Sequence, residues 1–68
     1  MEIEEGRYKI ELLLTTHDGV YTVDYDGVIY ASLFSARFNY EIAKRALKPN
    51  PSVTDLWIRR IDTDEIVY

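Results

Sequence analysis

The chain has 68 residues, with 12 acidic side chains against 8 basic ones, one His, no Cys and a formal charge of −4. That length allows one domain and one core, which buries only about 60% of the surface an unfolded chain exposes. With no thiol to form disulfides or thiolate metal sites, association is the remaining support for so small a domain, while 47% hydrophobic residues and nine aromatics exclude disorder.

The start, Met1-Glu2-Ile3-Glu4-Glu5, is acidic where a signal peptide is basic, and no apolar run approaches the ~20 residues that cross a bilayer. A cytoplasmic protein with no membrane contact is expected, a single 1–68 domain whose residues 1–6 form a flexible acidic arm. From Arg7 to Thr16, Tyr8, Ile10, Leu12, Leu14 and Thr16 alternate with Arg7, Lys9, Glu11, Leu13 and Thr15, the period of a half-buried strand. Asp18-Gly19 follows as a hairpin signal. A two-residue loop there sets Thr16 opposite Tyr21, Leu14 opposite Val23 and Leu12 opposite Tyr25 on one face. The other face then gathers Glu11, Asp24 and Asp26, so Leu12, Leu14, Val23 and Tyr25 are the expected core and the three carboxylates face water.

Asp26-Gly27 precedes Val28-Ile29-Tyr30, which fits a third strand, a bulged continuation of the second, or an extended approach to a helix. Ser32 suits an N-cap, and the stretch to Lys48 lacks Gly and Pro before Pro49-Asn50-Pro51 stops it. At 100° per residue this helix carries two apolar stripes. Leu33, Ala36, Tyr40, Ala43 and Leu47 form one; Phe34, Phe38, Ile42 and Ala46 form the other, roughly 160° away. A single sheet face covers one such arc, so either the sheet curls around the helix or the second stripe meets a partner or a second copy. Thr54 to Ile61 reads as a strand, and the turn Asp62-Thr63-Asp64-Glu65 leads to Ile66-Val67-Tyr68, which can pair back. In it Trp57 and Arg59 alternate with Leu56 and Ile58, which makes Trp57 either core or a surface anchor. The fold class is α+β, an antiparallel sheet with one packed helix in the order β-β-α-β(-β).

The chemistry of catalysis is missing. The sole His, His17, sits at the hairpin tip away from any paired nucleophile, and the three glycines are isolated, so no enzyme and no cofactor is expected. Asp24 and Asp26 with Glu11, and the Asp62-to-Glu65 turn, lack the ligand count of a cation loop, so no metal is expected. Charge is uneven: residues 1–30 sum to −5, residues 31–61 to +4 and residues 62–68 to −3. The basic middle holds Lys44, Arg45, Lys48, Arg59 and Arg60, a thin footprint for nucleic acid.

An acidic hairpin, one helix and a further strand or hairpin resemble, in size, charge and element order, small bacteriophage inhibitors, among them inhibitors of uracil-DNA glycosylase and anti-CRISPR proteins. The resemblance implies a non-enzymatic protein-binding module, an acidic phage or mobile-element inhibitor that blocks a nucleic-acid-binding site on a larger defence or repair protein. Glu11, Asp24 and Asp26 would stand where phosphates lie, against a partner with a basic surface. Phe34, Phe38, Ile42 and Trp57 are the apolar candidates for a partner or dimer contact. The alternatives are a homodimeric assembly component and a nucleic-acid-binding accessory domain using the five basic residues.

Overall fold

The structure is a computed structural model that describes residues 5–68. Residues 1–4 of the expected acidic arm lie outside the described residues, while Glu5 and Gly6 already belong to the first strand. The elements are β1 (Glu5–Thr16), β2 (Gly19–Asp24), β3 (Tyr30–Ser32), α1 (Leu33–Leu47), β4 (Val53–Arg60) and β5 (Glu65–Ile66). β1 is the central strand of an antiparallel sheet ordered β2-β1-β4-β5, with β3 pairing β1 beside Glu5 and Tyr8. The expected α+β architecture is what the chain adopts. Of Val28–Tyr30 only Tyr30 enters a third strand, which runs on to Ser32, while Val28 and Ile29 precede it.

The hairpin keeps its faces and changes its partners. Thr16 pairs Gly19, Leu14 pairs Tyr21, Leu12 pairs Val23 and Glu11 pairs Asp24, two residues from the expected register. His17 and Asp18 make the turn instead of Asp18 and Gly19. Gly19 closes the ladder at φ +146°, a backbone region that L side chains rarely adopt, and Thr16 Oγ1 accepts from the Asp18 amide at 3.2 Å. Because side chains alternate with period two, a two-residue shift returns every residue to its own face.

α1 starts where Ser32, in extended backbone, accepts a hydrogen bond from the Ser35 amide at 3.2 Å. It ends before Pro49, with the Asn50 amide donating to the Leu47 carbonyl at 2.9 Å. Lys44 and Arg45 in the last turn oppose the negative end of the helix dipole. The inward stripe is the one containing Ala36 and Ala43, both fully buried, whose small side chains let the helix lie close on the sheet. Tyr8, Ile10, Ala36 and Ile58 form the core, with Tyr25, Tyr30, Leu33, Tyr40 and Leu56 packed around it.

That core is centred nearer the N-terminal half of β1 than expected. Leu12 is buried and Tyr25 and Leu14 are half-buried, but Val23 is exposed. Length explains the shift: 15 helical residues span about 22 Å while 12 strand residues span about 40 Å, so α1 cannot cover the distal hairpin.

The C-terminal segment is tied down from two sides. Val67 N donates to Ile58 O at 2.9 Å and Ile58 N donates to Tyr68 O at 3.3 Å. The Tyr68 ring meets Tyr40 edge-on at 5.0 Å, and the Arg37 guanidinium lies 4.5 Å from its centroid.

Candidate functional site

The sheet face opposite α1 carries the expected acidic surface, and there the sequence expectation needs correcting. Glu11 does not face water: it is 6% exposed, held between Asp24 on β2 and Trp57 on β4. Its Oε1 accepts from Trp57 Nε1 at 2.9 Å and from Arg59 Nε at 2.7 Å, and its Oε2 lies 3.2 Å from Lys9 Nζ. Burial alone would push this carboxyl up; the hydrogen bonds from Arg59, Trp57 and Lys9 outweigh it and hold Glu11 below its ordinary value. The same contact with Glu11 raises Lys9 and Arg59 above theirs. Three strands thus converge on one carboxylate through cross-strand neighbours.

Asp24 and Asp26 are exposed, as expected, and both have internal partners. Lys9 Nζ reaches Asp24 Oδ1 at 3.5 Å. Asp26 accepts from the Val28 amide at 3.1 Å and from the Tyr30 hydroxyl, and burial followed by that hydrogen bond pushes Tyr30 up to about 12. Asp26 lies beyond the end of β2, so the structure does not align it with Glu11 in one row. Trp57 is likewise not a surface anchor: it is 9% exposed, and its indole serves Glu11. Both Trp57 and Ile58 are buried, although they point to opposite faces of β4: Ile58 belongs to the core with Ala36, and Trp57 is held beside Glu11.

The basic candidates divide. Arg59 is engaged with Glu11 and Asp64, and Arg60 with Asp62, whose carboxyl the Arg60 hydrogen bond holds below its ordinary value. Lys44, Arg45 and Lys48 enter no ion pair among the described residues. With Tyr40, Leu47 and Val53 they border an open groove of about 520 Å³ between the end of α1 and the start of β4. His17 sits at the exposed tip beside Asp18, and no group of three or more metal-ligating side chains occurs among the described residues.

What remains uncovered is the outward face of α1. Phe34, Phe38 and Ile42 are 53%, 64% and 50% exposed, one turn apart on the side away from the sheet. The sheet covers the Ala36–Ala43 stripe alone and does not wrap to reach them. Arg37, Glu41, Lys44, Arg45 and Lys48 accompany this stripe, four bases and one acid. Of the expected site residues, the structure brings Phe34, Phe38 and Ile42 together at the surface, turns Glu11 and Trp57 inward and leaves Asp24 and Asp26 partnered at the rim. Sequence reasoning missed Lys9, which joins Glu11 to Asp24; its position two residues before Glu11 on the same strand face was the available signal. No family model, no curated protein and no solved structure matches this chain.

Proposed function

We propose that the protein is a non-enzymatic protein-binding module that docks the outward face of α1 into an apolar groove with an acidic rim on a larger protein. The observation that carries this reading is the exposure of Phe34, Phe38 and Ile42 at i, i+4 and i+8 on one helix face, the anchor spacing of helix-in-groove recognition. Charge supports an acidic rim. The helix and its cap carry a net +3 beside the stripe, and two copies meeting through this face would set +3 against +3. An inhibitory role on a larger protein stays within this proposal, with the contact moved from the carboxylates to the helix, since Glu11 is inside and Asp24 and Asp26 have partners.

The test is photo-crosslinking in cell lysate with Phe38→p-benzoylphenylalanine, compared with the same replacement at Asp26. The reading predicts a discrete adduct with a different protein from position 38 that Arg45→Glu weakens, and no such adduct from position 26. An adduct with a different protein from position 26 alone would overturn it, as would a product of twice the 8.0 kDa chain mass from position 38.

A further inference from the structure

We infer that β2 is a self-pairing edge, so that two copies of this chain join their sheets antiparallel across a two-fold axis at Thr22. β2 is the terminal strand of the sheet, and α1 does not reach it. The Tyr25 amide donates to the Ile10 carbonyl at 2.9 Å, and the register continues through Leu12 with Val23 and Leu14 with Tyr21. Antiparallel alternation then turns the main-chain groups of Tyr21 and Val23 toward β1 and those of Val20, Thr22 and Asp24 toward the open edge.

Edge strands are ordinarily protected by Pro, Lys, bulges or a covering element. β2 has no Pro, no Lys, no register shift against β1 and no helix above it, and it exposes Val20, Tyr21 and Val23.

The occupant is a second copy because the strand is complementary to itself. With Thr22 opposite Thr22, Tyr21 stands opposite Val23 of the second copy, twice over, an aromatic with a β-branched side chain on the face α1 leaves bare. Asp24, the strand's sole charged residue, stands opposite Val20, while just past the strand Asp18 and Asp26 come level at each end, a repulsion between exposed carboxylates that salt screens. The three outward-facing positions supply a continuous ladder across the axis. Five paired residues bury less than the ~1,600 Å² of a standard interface, so the dimer is a weak one that assembles at high chain concentration. This surface is separate from the outward face of α1, and the two can be occupied together.

The chain has no Cys, so a single introduced thiol reports the register. Opposed residues of a hydrogen-bonded pair lie about 5.5 Å apart between Cα atoms, within the ~4.4–6.8 Å that a disulfide spans, and their Cβ atoms must close by about 1 Å to form it. Thr22→Cys is expected to form an oxidised dimer at least about tenfold faster than Val20→Cys, whose copies stand four residues out of register. Sedimentation of the unmodified chain at on the order of 100 μM should show the same dimer. Adding Phe38→Asp should leave the Thr22→Cys rate unchanged, which separates this edge from the helix face. Equal rates at the two positions, no cross-link at position 22, or a chain that stays monomeric would each overturn the proposal, as would capture of a different protein by Thr22→Cys in place of its own copy.

Discussion

Glu11 shows how one residue can satisfy a sequence pattern and still end in an unexpected place. Its alternation with Ile10 and Leu12 correctly assigns it to the face away from α1, but the side chains that enclose it, Trp57 and Arg59, come from β4 some 46 and 48 residues later. No local periodicity in β1 contains that information. Because the folded chain holds this carboxyl below its ordinary 4.5, the unfolded chain binds more protons between the two values. The contribution to stability is therefore whole above about 4.5 and is lost as pH falls through the folded value. Glu11→Gln should cost about 2 kcal/mol at neutral pH, since it removes a carboxylate that accepts charged hydrogen bonds from partly exposed cations. It should also flatten the acid limb, a change that urea unfolding between neutral pH and about pH 3 would register. At the alkaline end, ultraviolet titration should show Tyr30 ionising only at about 12, and Asp26→Asn should lower that value in part, since burial, the larger cause, remains.

At the scale of elements, the hairpin, the helix with its Ser32 cap, the β4 strand and the returning C-terminal segment were all legible, because each rests on local chemistry: turn residues, a capping hydroxyl, alternation and a proline stop. The hairpin's partners were not, since a shift of two residues leaves the hydrophobic pattern unchanged and only the conformation of Gly19 decides where the turn falls. The two helix stripes were visible as well; which of them the sheet covers depended on the sheet's reach and on the close approach that Ala36 and Ala43 allow. Two substitutions test that arrangement. Ser32→Ala should lower stability by about 1 kcal/mol through loss of the bond to the Ser35 amide. Ala36→Leu should cost about 2 kcal/mol by forcing α1 off β1 and β4. Chemical denaturation measures both.

Taken as a whole molecule, the protein extends 41 × 23 × 16 Å with a radius of gyration of 12.3 Å, above the roughly 11 Å of a compact chain of this length. The excess comes from a sheet longer than its one helix, whose distal hairpin projects past the core. Two apolar surfaces result, the outward face of α1 and the bare edge of β2, while several acidic groups are engaged internally: Glu11 by Lys9, Trp57 and Arg59, and Asp62 and Asp64 by Arg60 and Arg59. The charge sums of the sequence suggested an acidic contact surface because they count carboxylates without their partners. The central claim is that α1 divides its work, with one stripe holding the fold and the opposite stripe left for a partner. The most direct test is the unfolding free energy of the isolated chain carrying Phe34→Asp and Phe38→Asp together. If the outward stripe takes no part in the fold, stability changes by no more than about 0.5 kcal/mol; a loss above about 2 kcal/mol would make those side chains part of the core and contradict the account.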